Sequence, residues 1–309
     1  MDYYKRNNLP HQVINTKIYE GSSKRLLNPI LLLGIFFGNI NRAEVVFLNV
    51  SQGGTKWLAP LLFVLTKCFG KQFIFRPFGS WMQEQYESYN RFQKWLFQKT
   101  ILRADIFYLQ TKALMHYFCQ SQANIQQLPT SRGLPEIQAK KDFKKRFIYL
   151  GHIKESKGVN LLEQAATQLD DSYTIHTYGP IYEEKYRTQL STYQGLLGKE
   201  EVYQTLSQYD VLVLPTWFSG EGYPGAIIEA YSLGMPVIAT HWKSIPEIVE
   251  NQKTGLLIEP KSIEELLKAI QFFDQKNYRQ FSQAAKDYFL ANFEAGRVLG
   301  TVVHQIQQI

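Results

Sequence analysis

Cysteine is scarce in this sequence, and so are long apolar runs. Only two cysteines occur in 309 residues, Cys68 and Cys119, and both stand among apolar neighbours. Two thiols are too few for a cysteine-based zinc site, so we expect both to be small buried hydrophobic residues in a reducing compartment. The longest apolar stretches, residues 26–40 and 57–69, fall short of the roughly 18 residues that a membrane-spanning helix needs. We predict that both are core helices.

Acidic residues are scarce in the first half. Residues 1–140 hold 17 Lys and Arg against 7 Asp and Glu, whereas the remainder holds 17 against 20. Such a basic half suits a polyanion or an anionic membrane surface. Because no zinc-finger spacing and no ribonucleoprotein aromatic motif is present, we expect no nucleic acid and favour the membrane. The segment after Met1 is polar, which is unlike a signal peptide, so the expected location is the cytoplasm, with a peripheral position at the inner face of the membrane left open.

Short β-rich runs alternate with helical patterns along the chain, which is typical of βα units and parallel sheets. The predicted strands cover residues 11–16, 45–50, 72–76, 106–110, 125–129, 146–151, 174–178, 211–215, 236–240 and 255–258. The predicted helices cover residues 24–37, 57–69, 86–101, 112–121, 159–169, 182–193, 202–209, 226–233, 245–251, 263–273, 278–289 and 294–308.

A lysine-rich stretch at residues 139–146 separates two such series and resembles a linker. We therefore predict a first domain of residues 1–143 and a second domain of residues 144–290. Residues 291–309 are expected to form a C-terminal helix that packs back on the first domain. Two α/β domains that face each other place a ligand between them, at the carboxyl ends of their strands.

Residues 211–240 carry the strongest sign of chemistry. A buried strand ends at Pro215, a glycine-rich loop follows, and a helix begins at Pro224-Gly225, where proline costs a helix least. The amides from Gly225 to Ile227 would point out of the helix N-terminus, where free N–H groups and the helix dipole can hold a diphosphate.

Two glutamates flank this helix start. Glu229 lies one turn deeper than Gly225 on the same face, where its carboxylate can accept two hydroxyl protons, as from a ribose. Glu221 precedes the helix, at a position to hold sugar hydroxyls beyond the phosphates. Two acids eight residues apart can be ordinary solvated side chains, but their setting after a buried strand makes them much more specific.

The segment Glu221-Gly-Tyr-Pro-Gly-Ala-Ile-Ile-Glu229-Ala-Tyr-Ser-Leu-Gly-Met-Pro-Val-Ile-Ala-Thr resembles the signature of glycosyltransferase family four, a retaining group with the GT-B fold. Further segments similar to family motifs follow the family's order, at residues 149–158, 207–216, 245–249 and 254–257. The resemblance is close over residues 146–309 and holds for the first half only in pattern. It implies an α/β GT-B fold of two Rossmann-like, doubly wound domains that face a cleft.

The resemblance also implies roles for individual residues. Lys157 is expected to bind the donor diphosphate, Glu221 to hold the transferred sugar and Glu229 the ribose, with Glu221 and Lys157 as the catalytic pair. A solvated loop lysine is the alternative for Lys157. The family usually has arginine where this chain has His152, so diphosphate binding is expected to depend more on Lys157, with Lys154. The predicted donor site comprises Gly151, His152, Lys157, Glu221, Gly222, Tyr223, Pro224, Gly225, Ala226 and Glu229.

The first half departs from the family pattern. The family opens with a strand and a glycine-rich loop, whereas the first credible strand here, residues 11–16, looks like the family's second. The opening βα unit is therefore expected to be missing. His116 is interpreted as structural. Acceptor-side contacts are predicted, more weakly, at Arg76, Phe78, Gly79 and Ser80.

The function implied by the resemblance is a hexosyltransferase-type enzyme. It would move a hexose-type sugar, with retention of configuration, from a nucleotide diphosphate to a glycan or lipid-linked saccharide in cell-surface polysaccharide assembly. Neither a cofactor nor a metal is expected, because a helix N-terminus and Lys157 can stabilise the leaving diphosphate. Two alternatives stay open. A non-catalytic GT-B-like protein that binds glycans or a partner transferase is favoured by the missing unit, and a sugar-nucleotide epimerase is disfavoured by the paired glutamates.

Overall fold

Two parallel sheets form the framework of the computed structural model, which describes residues 10–14, 28–137 and 142–308. The first sheet contains β1 (Val45–Val50), β2 (Gln72–Pro77), β3 (Ile106–Leu109) and β4 (Ile125–Gln127), in that spatial order. Every neighbouring pair is parallel. Strands β2 and β3 lie in the interior of this sheet, which is why β3 and the centre of β2 are apolar and buried.

The second sheet has six parallel strands in the order β10-β9-β8-β5-β6-β7. These strands are β5 (Arg146–Leu150), β6 (Thr174–Tyr178), β7 (Tyr193–Gly195), β8 (Val211–Leu214), β9 (Val237–Thr240) and β10 (Gly255–Ile258). The chain builds outward from β5 to β7 and then returns to the other side of β5 with β8. The strand order therefore reverses between β5 and β8, as in doubly wound folds.

The helices that the structure describes connect these strands and cover the sheets. They are α1 (Asn28–Asn39), α2 (Leu58–Cys68), α3 (Met82–Glu87), α4 (Arg91–Lys99), α5 (Lys112–Tyr117), α6 (Val159–Gln168), α7 (Tyr186–Gln189), α8 (Val202–Leu206), α9 (Gly225–Ser232), α10 (Ile263–Phe272), α11 (Gln275–Asn292) and α12 (Ala295–Gln307). Single turns of 3-10 helix occur at Glu155–Lys157 and Ile245–Glu247.

Each sheet has a core of its own. One buried cluster surrounds the second sheet, and another covers one face of the first sheet. On the opposite face of the first sheet, Ile74 and Ile106 pack with Val298 and Val302 of α12. The C-terminal helix therefore completes the burial of the first sheet.

Several elements differ from the sequence prediction. The predicted helix 182–193 contains only α7 and then β7, because this part of the chain pairs with β6 as an edge strand. The predicted helix 86–101 is divided, since Asn90 and Gln93 form a capping box that starts α4. Residues 11–14 of the predicted strand 11–16 form no strand, and residues 15 and 16 lie outside the described residues.

Both cysteines are exposed, so the expectation that they are buried is wrong. Cys68 ends α2, and Cys119 lies in the turn after α5. Apolar neighbours in sequence are a poor guide at these positions because a helix places successive residues on different faces.

No helix among residues 10–14, 28–137 and 142–308 is long and apolar enough to cross a membrane. The two longest apolar stretches fall on α1 and α2. Helix α2 buries Ala59, Leu62 and Phe63 but leaves Leu61 and Val64 exposed, so it is a core helix on one face only.

Candidate active site

The reversal of strand order between β5 and β8 places two loops side by side. In a doubly wound sheet, the loops that follow the strands at such a reversal diverge and leave a crevice at their carboxyl ends. Here they are residues 151–158 after β5 and residues 215–224 after β8. Two segments that are distant in the sequence therefore meet where a ligand is expected.

Backbone contacts fasten these two loops together. Trp217 N donates to Ser156 O at 2.8 Å. Gly158 has a φ of +76°, and a Cβ at this residue would lie 2.1 Å from Pro215 O. Only glycine fits a left-handed position packed this closely. The contact holds Lys157, the residue before Gly158, against the second loop.

Lys157 and Glu221 meet in the crevice. Lys157 Nζ donates to Glu221 Oε2 at 2.5 Å, and Thr216 Oγ1 donates to the same oxygen at 2.8 Å. The lysine and glutamate side chains are only 13% and 8% exposed, so their mutual contact compensates two largely desolvated charges. Beyond these bonds, the ammonium group has two further protons and the carboxylate a second oxygen with which to bind a ligand.

Two basic side chains border this pair. Lys154 Nζ lies 3.5 Å from the centre of the Phe218 ring, and partial desolvation together with the charge of Lys157 lowers the Lys154 pKa. The His152 ring lies at the rim, 4.5 Å from the ring centre of Tyr182. Partial desolvation and the charges of Lys157 and Lys154 lower the His152 pKa below its usual value. The imidazole is therefore neutral at neutral pH.

Gly151 begins the first loop beside the hydroxyl group of Tyr149. Tyr149 is fully buried, and its Oη donates to His152 O at 2.8 Å. Burial and the charge of Glu221 raise the Tyr149 pKa, which keeps the phenol protonated as the donor. A Cβ on Gly151 would lie 2.9 Å from that hydroxyl oxygen, so the loop backbone packs where a side chain would not fit without a shift.

Helix α9 supplies the helix N-terminus that the sequence predicted. Pro224 precedes the helix and provides no side-chain cap, and Gly225 and Ala226 are half-buried. Amides in the first turn of a helix can bind an anion when no side chain caps them. Glu229 lies one turn further along, half-buried, and its Oε1 accepts a hydrogen bond from Arg132 Nε at 2.9 Å.

Arg132 reaches this helix from the first half of the chain. It lies after β4, and its backbone N and O bond to Phe293 O and Ala295 N at 3.0 and 2.9 Å. A Cβ on Gly225 would lie 2.7 Å from Arg132 Nη2, so the guanidinium contacts the start of α9 as well as Glu229. A permanent positive charge therefore lies at the N-terminus of α9.

The Tyr223 side chain is committed to a contact between the two sheets' domains. Its hydroxyl donates to Glu247 Oε2 at 2.6 Å and accepts from Gln127 Nε2 at 3.1 Å. Burial and the Glu247 carboxylate raise the Tyr223 pKa. Glu247 also accepts from the backbone amides of Lys112 and Ala113 at 2.6 and 3.1 Å, so it caps α5. Only the backbone of Tyr223 remains for the predicted donor contact.

Ser80, predicted on the acceptor side, lies directly against the loop after β8. Its Oγ donates to Gly220 O at 3.2 Å. A Cβ on Gly222 would lie 3.3 Å from Ser80 Cβ and 2.7 Å from Gln110 Oε1. The structure thus brings one predicted acceptor-side residue together with the predicted donor loop.

The other predicted acceptor-side residues form the turn at the end of β2. Arg76 Cζ lies 5.0 Å from the centre of the Phe78 ring, and Phe78 is half-exposed. Gly79 has a φ of +90°, which glycine adopts readily. His116 is an exposed residue of α5 and does not take part in the crevice contacts described above.

Arg132, Thr216 and Glu247 are functional candidates that sequence reasoning missed. Thr216 lies two residues after the end of the fully buried strand β8, and that position is a signal that points to it. Glu247 lies in the segment 245–249 that resembles a family motif, although its bond to Lys112 spans 135 residues. Arg132 has no local signal, because its partner Glu229 lies 97 residues away in the chain.

Comparison with known proteins gives matches in sequence. The model of the family described as Glycosyl transferases group 1 matches residues 144–273. A protein named as a colanic acid biosynthesis glycosyltransferase, WcaL of Escherichia coli (strain K12), is 31% identical over 156 residues, which are 45% of this chain and 38% of that protein. One named as a teichuronic acid biosynthesis glycosyltransferase, TuaC of Bacillus subtilis (strain 168), is 29% identical over 166 residues, 52% of this chain and 42% of that protein. The chain thus matches about two fifths of the length of these relatives.

The fold also has a solved counterpart. The crystal structure of Anabaena HepE in complex with UDP superimposes with a TM-score of 0.75 at 13% sequence identity, over 100% of this chain and 89% of that chain. This likeness concerns the fold, and it confirms the expected α/β GT-B architecture. No strand precedes Val45 within residues 10–14 and 28–44, and the missing opening unit stays a prediction.

Proposed function

We propose that this chain is a glycosyltransferase of the glycosyl transferases group 1 family, whose model matches residues 144–273, and that it uses a nucleotide-sugar donor. The observation that carries the proposal is the position of Lys157 and Glu221. These residues come from the two strands at the reversal of strand order and form one nearly buried ion pair there. An α/β sheet offers its ligand site at this place.

In this proposal the donor diphosphate binds at the N-terminus of α9. Its charge meets the first-turn amides near Gly225, the Lys157 ammonium and the Arg132 guanidinium. As the bond to the sugar breaks, negative charge grows on the leaving diphosphate. Groups that are already oriented toward that position stabilise the transition state with little reorganisation. No role is assigned to a metal or another cofactor.

The two glutamates bind the neutral parts of the donor. Glu229 accepts hydroxyl protons of the ribose through the carboxylate oxygen that Arg132 Nε does not use. Glu221 accepts a hydroxyl proton of the transferred sugar through Oε1, while Lys157 and Thr216 hold Oε2. The pair Lys157–Glu221 thus connects the sugar to its leaving group. Transfer is proposed to retain the anomeric configuration, and the sugar is proposed to be of hexose type.

The acceptor is proposed to be a glycan or a lipid-linked saccharide in cell-surface polysaccharide assembly. Two relatives are named for the biosynthesis of colanic and teichuronic acid, which supports a polysaccharide product. The basic first half supports a cytoplasmic protein that lies peripherally on an anionic membrane surface, where a lipid-linked acceptor would be found.

Calorimetry with a panel of sugar nucleotides tests the proposal. The panel starts with UDP-glucose, because HepE was solved as a UDP complex. We expect one nucleotide sugar to bind, and Glu221→Ala and Glu229→Ala each to reduce its affinity or its slow hydrolysis by about tenfold or more. The matched control is Asp171→Ala. Asp171 is an exposed acid in the turn before β6, at the amino ends of the strands and away from the crevice at their carboxyl ends. If no nucleotide sugar binds, or if both glutamate variants behave like the control, the proposal is wrong.

A non-catalytic GT-B-like protein is the second candidate. It is favoured by the first sheet, whose described strands run in the order β1-β2-β3-β4 with no reversal. Such a protein would bind a glycan or a partner transferase without releasing nucleoside diphosphate from any donor. Measured turnover of a bound donor would exclude this candidate.

A further inference from the structure

Helix α2 is apolar on both of its faces. Ala59, Leu62 and Phe63 face the core and are buried. On the outer face, Leu61 is 44% and Val64 46% exposed. A surface helix of a soluble domain normally presents polar residues on that side. The outer face of α2 is therefore built to meet something apolar.

Exposed aromatic rings extend this face at both ends. Trp57, directly before α2, lies 6.5 Å from Phe92, and the Phe92 ring stacks on Trp95 of α4 at 5.8 Å between centroids. At the other end, Phe69 contacts Phe37 of α1 at 6.2 Å. Every one of these rings is exposed. We call the following residues the apolar stripe: Phe37, Trp57, Leu61, Val64, Phe69, Phe92 and Trp95.

The segments that carry most of the apolar stripe are rich in basic residues. No Asp or Glu occurs in residues 45–83 or 88–104, and these two segments contain eight Lys and Arg. Lys67 pairs with Asp105, and Arg76 lies at the end of β2 beside Phe78. The basic residues of α2 and α4, their flanking turns and the following 3-10 turn remain: Lys56, Lys71, Arg91, Lys94, Lys99 and Arg103.

The combination of exposed apolar rings and basic residues distinguishes between two occupants of this face, a second copy of this chain and a lipid bilayer. Protein interfaces are depleted in lysine, and a second copy of this chain would bring like charges together. An anionic bilayer surface instead attracts lysine and arginine, and it accommodates tryptophan at the level of the headgroups. We propose that the apolar stripe is the face on which this protein docks on an anionic lipid bilayer.

The apolar stripe also lies at a suitable place for the proposed function. The biological role of the docking face rests on that proposed function. Helix α2 follows β1 and runs antiparallel to it, so its Trp57 end lies at the carboxyl edge of the first sheet. The turn of Arg76 and Phe78 lies at the same edge, because β2 is parallel to β1. A lipid-linked acceptor held by the bilayer would therefore reach the crevice from the aromatic end of the stripe.

Vesicle co-sedimentation of the full chain tests the docking face. We expect binding to vesicles of phosphatidylcholine with phosphatidylglycerol and none to phosphatidylcholine alone. The variant Trp57→Ser/Phe92→Ser/Trp95→Ser, and separately Arg91→Glu/Lys94→Glu/Lys99→Glu, should each weaken binding by about tenfold or more. The matched control is Leu196→Ser/Phe272→Ser, which removes two exposed apolar residues from the second domain.

Three outcomes would overturn the inference. The first is that the unmodified chain binds neither kind of vesicle. The second is that the aromatic variant binds the anionic vesicles as well as the control variant does. The third is a dimer of the unmodified chain in lipid-free solution that the aromatic variant converts to a monomer, which would assign the stripe to a second copy. Calorimetric binding of UDP-glucose by the same variants separates the claims. If the variants lose vesicle binding but still bind UDP-glucose, the result supports the apolar stripe as the docking face. If the unmodified chain does not bind UDP-glucose, the result contradicts only the donor proposal.

Discussion

His152 is the residue at which this chain departs from the arginine that the family resemblance implies. Its pKa is lowered in the free protein by partial desolvation and by Lys157 and Lys154. A diphosphate bound beside these groups would favour the imidazolium form and raise the His152 pKa. Binding then takes up a proton, so affinity must increase as the pH falls through the pKa of the bound state. The increase must level off below the pKa of the free state.

Titration of UDP-glucose between about pH 5 and pH 8 measures this dependence, since the donor diphosphate itself does not titrate there. We expect tighter binding at the acidic end and net proton uptake in buffers of different ionisation enthalpy. His152→Arg should bind tightly at every pH, whereas His152→Gln should bind more weakly without the pH dependence. An unchanged pH profile in His152→Gln would show that another group titrates.

At the scale of the element, the 3-10 turn Glu155–Lys157 and helix α6 meet at Gly158. This glycine combines a φ of +76° with a backbone contact, since a Cβ would lie 2.1 Å from Pro215 O. We expect Gly158→Ala to lower the free energy of unfolding by about 3 kcal/mol or more, because strain and a steric clash add. It should also weaken donor binding, because Lys157 would be displaced.

Gly70→Ala is the matched control for this substitution. Gly70 has a φ of +66°, and nothing lies within 4 Å of a Cβ built there. This variant should lose only the cost of a left-handed alanine, about 1–2 kcal/mol, and should keep its affinity for the donor. Chemical denaturation and calorimetry measure the two quantities. Equal losses of stability in the two variants would mean that the contact with Pro215 is unimportant.

At the scale of the whole molecule, one carboxylate joins the two domains. Glu247 accepts from the Lys112 and Ala113 amides of α5 and from the Tyr223 hydroxyl. We expect Glu247→Ala to destabilise the first domain by about 1–3 kcal/mol, because it removes charge-assisted hydrogen bonds at a helix N-terminus. Amide hydrogen exchange in α5 should become faster.

Hydrogen exchange followed by mass spectrometry measures this effect, with Glu184→Ala as the control. The Glu184 carboxylate is largely exposed and pairs with Arg187 three residues away. Exchange in α5 should not change in the control. If α5 exchanges equally in both variants, Glu247 does not stabilise the helix.

The residues of the proposed donor site that could be predicted are those whose signal is local. Glu221, Gly225 and Glu229 stand in one segment after a buried strand, and the sequence shows both the strand and the start of the helix. Lys157 was predicted through the resemblance, and the structure brings it to 2.5 Å from Glu221. Parallel strands explain why local signals were enough, since their carboxyl ends meet at one edge of the sheet.

By itself, the sequence determined the alternation of strands and helices, the helix that opens at Gly225 and the basic character of the first half. Tertiary structure alone decided that Arg132 would bind Glu229, that Tyr223 would turn toward Glu247 and that α2 would expose an apolar face. Hydrophobic periodicity and glycine or proline signals act within a few residues of the chain. Pairing between residues about a hundred positions apart, and the exposure of an apolar helix face, depend on how whole elements pack, which no local pattern encodes.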